Sequence, residues 1–185
     1  MVKKITLIVL LLIITNSVTY FLSNSVSVKE DYRNYLKMRS LISVPEEEVM
    51  TLFESVTGDN YQNDNILYDT LTQEIIPKYR RYSGFISLIA YPADTIKTEK
   101  VESLHDTYNI AVLDKLNFFL LLRDSIKEQD EEVKKQAYEI LKKSEELMEK
   151  HDELFKNLND KYGLPELDHI IYLNSELSSS YSQNY

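Results

Sequence analysis

Apolar residues recur along most of this chain at alternating intervals of three and four, the spacing that keeps one stripe of an α-helix facing inward. The pattern begins at Val28, Tyr32, Tyr35, Leu36 and Leu41 or Ile42. Ser43-Val44-Pro45-Glu46 then has the form of a capping box, with proline in the first turn, where its missing N–H is not needed. The helix it opens carries Val49, Leu52, Phe53 and Val56 and is expected to stop near Gly58, before a polar loop. From Asp64 a longer stripe runs through Leu67, Leu71, Ile75, Tyr79, Tyr82, Ile86 and Ile89. Pro77 falls within it and predicts a kink, because it removes a hydrogen bond and crowds the preceding turn. Pro92-Ala93-Asp94-Thr95 is expected to end that helix and cap the next.

The two longest stripes come after Thr95. One runs to about Lys127 through Val101, Leu104, Tyr108, Ala111 or Val112, Phe119, Leu122 and Ile126. Its segment Phe118-Phe119-Leu120-Leu121-Leu122 is apolar on every side, so it is either buried on every side or turned toward a partner. The other opens on Asp130-Glu131-Glu132, negative charge that a helix N-terminus favours, and continues through Val133, Ala137, Ile140, Ser144, Leu147, His151, Leu154 and Leu158. Tyr162-Gly163-Leu164-Pro165 should close it, with Gly163 as a left-handed cap. Pro165 to Leu177 reads as one short helix, and the polar stretch Ser178 to Tyr185 as a disordered tail. The expected fold class is all-α: an up-down four-helix bundle with a kinked second helix, a short C-terminal helix and an N-terminal signal or anchor helix.

That N-terminal segment sets the compartment. Lys3 and Lys4 precede Ile5-Thr6-Leu7-Ile8-Val9-Leu10-Leu11-Leu12-Ile13-Ile14, and a polar-spotted continuation reaches Leu22. A basic flank, an apolar run and small polar residues form the layout of a secretory signal. As a helix, Ile5 to Leu22 would also span roughly 27 Å, close to the thickness of a hydrocarbon core, so a retained anchor fits the same residues. Ser23-Asn24-Ser25 offers the small residues that cleavage needs. Both readings keep the lysines in the cytoplasm and export the rest of the chain. Residues 1–25 are thus read as signal peptide or membrane anchor, 26–177 as an extracytoplasmic helical bundle and 178–185 as the tail.

Composition narrows the classes further. Cysteine is absent, which excludes a lipid-modified bacterial N-terminus and leaves roughly 160 exported residues to be held by their core alone. Export without disulfides points to a bacterial envelope rather than a eukaryotic secretory route. A net charge of −9 disfavours nucleic acid and anionic lipid headgroups as partners. The layout resembles that of small envelope proteins of Gram-positive bacteria, a signal or anchor followed by a helical bundle.

Candidate chemistry is sparse. Glu102-Ser103-Leu104-His105 and Glu166-Leu167-Asp168-His169 resemble the Glu-x-x-His ligand pairs of di-iron carboxylate bundles, but among 30 acidic residues such a pair arises by accident. No metal and no cofactor are expected. Ser144 and His151 lie on an inward stripe, where a hydrogen-bonded histidine is the expectation. There is no Gly-x-Ser-x-Gly elbow and no Gly-rich phosphate loop, so no catalytic residue is assigned. Tyr79-Arg80-Arg81-Tyr82 is the one basic-aromatic cluster, of the residue types that anchor protein interfaces.

These observations favour a non-enzymatic, membrane-anchored or secreted envelope protein that binds or scaffolds an envelope or secreted protein, in the manner of an immunity or exclusion module. Its contacts are expected at Tyr79, Arg80, Arg81, Tyr82, Phe118 and Leu121. The alternative is an extracytoplasmic small-ligand-binding bundle, with a pocket at the Pro77 kink lined by Tyr79, Tyr82, His105 and Tyr108.

Overall fold

The computed structural model describes residues 27–40, 46–89 and 96–163. The leader, the expected helix from Pro165 to Leu177 and the tail lie outside the described residues, as do Ser43 and Pro92 to Thr95. Of the described residues 88% are helical and none is in a strand, as the low counts of glycine and proline anticipate. No helix among them is long and apolar enough to cross a membrane.

Helix α1 spans Val28–Arg39 and α2 spans Glu46–Glu54. A 3-10 turn, Gly58–Asn60, starts on a left-handed Gly58. Next comes α3, Asp64–Thr70, whose first turn is capped by the Asn63 side chain on the Ile66 amide. It passes directly into a π turn, Leu71–Ile75, and on into α4, Ile76–Leu88. Pro77 therefore disturbs the helix as expected, and does so beside a π turn. Its ring would crowd the carbonyl four residues back and it offers no N–H; the ladder widens there, and the Ile76 amide reaches the Leu71 carbonyl, five residues back.

The long helices α5, Glu99–Glu128, and α6, Glu131–Tyr162, are joined by a tight turn. Gln129, rather than a glycine, takes the left-handed conformation at φ 55°, and Asp130 caps α6 by accepting from the Glu132 and Val133 amides at 2.9 and 3.1 Å. The two helices run antiparallel: Ser144 donates to the Ala111 carbonyl at 2.8 Å, Lys143 pairs with Asp114, and Tyr138 packs on Phe118. At the far end of α6, Gly163 is not left-handed. Its φ is −31°, and a Cβ there would meet the Asn159 carbonyl oxygen at 2.8 Å, so close approach selects the glycine.

The segment 118–122 is buried or half-buried and packs into the core. Phe53 of α2 lies edge-on to Phe118 and Phe119 at 5.5 and 5.3 Å, and Tyr79 meets Phe119 at 5.2 Å. An aromatic side chain removed from such a junction typically costs about 3–5 kcal/mol.

Candidate functional site: a buried polar junction

Where α1, α2, α4, α5 and α6 meet, the interior is polar. The sequence stripe alone brings Tyr79 and Tyr82 inward from α4 and Tyr108 from α5; the groups they meet come from elsewhere. Glu46, the first residue of α2, accepts from the Tyr79 hydroxyl at 3.0 Å and from the Lys115 amine at 2.6 Å. Its other oxygen lies 3.5 and 3.4 Å from the hydroxyls of Tyr82 and Tyr108, which also hydrogen-bond each other. The ion pair is nearly enclosed, with the Lys115 and Glu46 side chains 12% and 16% exposed. The carboxylate that the sequence assigned to a capping box with Ser43 thus faces α4 and α5.

Arg39, the last residue of α1, closes the junction. Its guanidinium stacks 4.1 Å above the Tyr108 ring and approaches His151 Nε2 at 3.3 Å. His151 in turn leans on Tyr108 at 4.7 Å and pairs through Nδ1 with Asp152 at 3.1 Å. His105 packs edge-on against Tyr35 of α1 at 5.9 Å. Burial pushes the tyrosine hydroxyls upward, and the Glu46 charge pushes Tyr79 and Tyr82 further, far above the usual tyrosine range. Burial also raises Tyr35 and Tyr108, against the lowering pull of Arg39. Hydroxyls held this way stay protonated and serve as hydrogen-bond donors. Burial opposes the Arg39 charge, but the tyrosines around it, Tyr108 first, outweigh that, so its pKa is raised. Both histidines are lowered by burial and lowered further by Arg39.

The residues singled out in the sequence divide accordingly. Tyr79 and Tyr82 belong to this junction and are buried, as is Phe118; Leu121 is half-buried against the core. Arg80 and Arg81 are the members of their cluster that reach solvent. His105 and Tyr108 are buried too, and the hydroxyls of Tyr79, Tyr82 and Tyr108 gather on Glu46, with Arg39 over the Tyr108 ring. Glu102 is exposed while His105 is buried, so they do not share an inward face; Glu166 and His169 lie outside the described residues. Among the described residues no group of acidic and histidine side chains is placed to hold a metal. Arg123 and Asp124 pair at 2.6 Å, as their adjacency suggests. Glu46 and Arg39 are two of the junction residues that the sequence does not reveal. Neither carries a local signal: Glu46 is one of three consecutive glutamates, and Arg39 ends a helix like any solvated basic residue.

A groove of about 460 Å³ lies elsewhere, between the start of α5 and the end of α6. Lys100 and Ser103 line one wall, and Leu154, Leu158, Lys161 and Tyr162 the other. Family models, curated proteins and solved structures give no match to the chain, so its functional reading rests on its own side chains.

Proposed function

We propose that this chain is a non-enzymatic protein-binding module, held at the outer face of a bacterial cytoplasmic membrane by residues 5–22 or secreted after their removal. Its four long helical runs form an up-down bundle beyond that leader. The observation that carries the reading lies on α4. Arg81, Phe85 and Leu88 succeed one another at intervals of four and three, so they share a face of the helix. All three are exposed, Phe85 to 41% and Leu88 to 60%.

Arginine and aromatic side chains are favoured anchors of protein interfaces, and grouped exposed apolar residues mark such surfaces. Ser87 donates to Asn109 at 2.9 Å and ties this helix to α5, where Ile110 and Leu113 are exposed as well. The tyrosine hydroxyls, Glu46 and Lys115 point inward and pair with one another. A net charge of −9 steers basic partners toward the chain, and an envelope or secreted protein fits the compartment. An immunity or exclusion protein would work in this way.

Photocrosslinking in cells tests it. A benzophenone amino acid placed at Phe85 or Leu88 of the full-length chain, tagged after Tyr185, should capture one recurrent envelope or secreted protein. The same probe at Lys142, on the exposed face of α6, should not. Equal capture from all three positions, or none, removes the reading. A second reading, a small-ligand-binding bundle, draws support from the groove between α5 and α6. A thermal shift with amphiphilic small molecules, lost on Leu154→Lys, would favour it.

A further inference from the structure

Two of the three histidines in the chain converge on one helix, α1. The Arg39 guanidinium can only donate, so His151 Nε2 accepts and the ring proton sits on Nδ1, shared with Asp152. The arrangement requires a neutral ring. A second proton would set N–H against N–H and place two cations side by side in a buried seam. His105 faces the same helix from α5. It is 1% exposed, and among the described residues neither of its nitrogens has a hydrogen-bond partner. A cation there would have no acceptor.

The charged and titratable neighbours do not relieve this. Around His151 they are Arg39 from α1, Glu46 from α2, Tyr108 from α5 and Asp152 on α6 itself. Around His105 they are Arg39 and Tyr35 from α1 and Asp106 on α5. Asp106 and Asp152 are exposed and well solvated, and Glu46 is already paired with Lys115. The fixed positive charge of Arg39 dominates the seam.

The geometry points to an acid-labile latch: protonation of His151 and His105 releases α1 from α5 and α6 while the α5–α6 pair stays folded. The inference stands apart from the partner-binding reading. Its direction comes from burial, which with Arg39 holds both histidines below their ordinary value of 6.5. Above about 6.5 docked and released states are both neutral, and the latch is at full strength. As pH falls below that, the released state takes up protons that the docked state refuses, and the latch weakens toward the docked-state pKa values. The contacts that remain to hold α1 are Asp31 at the start of α5, Arg39 over the Tyr108 ring and Tyr32 edge-on to Phe155 at 6.2 Å. Release would uncover Tyr32, Tyr35 and Leu36, all buried when docked.

Hydrogen–deuterium exchange of the full-length chain in detergent, at about pH 7.5 and about pH 5 with intrinsic rates corrected, tests the latch. Peptides covering α1 should lose protection roughly tenfold or more at the lower pH, as expected for a sub-global opening, while the seam around Ala111 and Ser144 keeps its own. His151→Gln puts a neutral acceptor where Nε2 stands, and His105→Phe keeps the ring contact with Tyr35. The double variant should hold α1 protected at both values; His169→Gln, the control, should behave as wild type. Retained α1 protection in the wild type at acid pH would overturn the proposal. So would loss from all helices together, or the same loss in the double variant. Should circular dichroism show the double variant unfolded, NMR titration of the wild-type histidine ring protons decides instead. The α1 transition must then coincide with the titration of His105 and His151, and a midpoint more than about one pH unit from both refutes the latch.

Discussion

Asp31 and Thr98 are joined by two hydrogen bonds: the carboxylate accepts from the Thr98 amide at 2.8 Å and from its hydroxyl at 2.6 Å. The Lys97 amide adds contacts at 3.1 Å to both oxygens. Thr98 is the N-cap of α5 but makes no side-chain cap of its own. Instead a carboxylate on α1, 1% exposed, accepts from Thr98 itself and from the residue before it. It satisfies the amides before the first turn and fixes where α1 docks.

Asp31→Ala should therefore destabilise the chain by about 2–3 kcal/mol, since it removes several charged hydrogen bonds from part-buried donors at once. Thr98→Val should cost only about 1 kcal/mol. Urea unfolding followed by circular dichroism at 222 nm measures both, because the chain has no tryptophan to report. An Asp31→Ala midpoint equal to wild type would mean that the contact contributes nothing.

The pair Glu46–Lys115 predicts a non-additive cycle. Lys115→Met leaves a nearly enclosed carboxylate with only tyrosine donors, and should cost about 3 kcal/mol. Glu46→Leu strands the amine and the Tyr79 hydroxyl, and should cost a similar amount. The double variant should lose clearly less than the sum, because neither charge is then left alone. Strict additivity in urea would show that the two do not interact.

Ser144 joins α5 and α6, fully buried, with its hydroxyl on the Ala111 carbonyl. Ser144→Ala should cost about 1 kcal/mol by losing that hydrogen bond. Ser144→Leu should cost more, about 1–3 kcal/mol from overpacking alone. Thermal unfolding that ranks leucine above alanine would contradict this packing.

Alkaline titration should reveal a set of tyrosines that ionise late. Tyr35, Tyr79, Tyr82 and Tyr108 are all raised above 10 by burial. The folded state keeps protons there that the unfolded chain gives up, so stability is complete below about 10 and falls as pH rises past it. Absorbance at 295 nm should show these four ionising only in one step that coincides with loss of helix. Smooth ionisation of all of them in the folded protein would contradict the junction.

Helix positions are legible in the sequence because the stripe of three and four is a direct image of burial. Asp130 and the stops near Gly58 and Gly163 can be read in the same local terms. The features that resist reading are set by distance. Asp31 anchors the start of a helix 67 residues later, so no spacing near Thr98 reveals it, and the helix start is sought instead at Pro92 to Thr95. Pro77 announces a disturbance, but whether the helix bends or widens depends on what packs around it. Tyr79 and Tyr82 are legible as core, whereas their hydroxyls find Glu46 across 33 and 36 residues. The outward placing of the arginines between them is set by periodicity, and the exposed Phe85 and Leu88 belong to the same outward arc. That arc shows only once the inward one is fixed.

The seam between α1 and α6 also bears on the order in which the chain assembles. Arg39 and His151 are 112 residues apart, whereas α5 and α6 meet across a two-residue turn. Closing the short connection costs far less loop entropy, so the hairpin of long helices can form without waiting for anything upstream. A chain emerging N-terminus first releases α1 early and completes its binding surface last. Throughout synthesis Tyr32, Tyr35 and Leu36 stand without Phe155 and His151, and any stall before α6 leaves that aromatic edge as the first place for the nascent chain to stick.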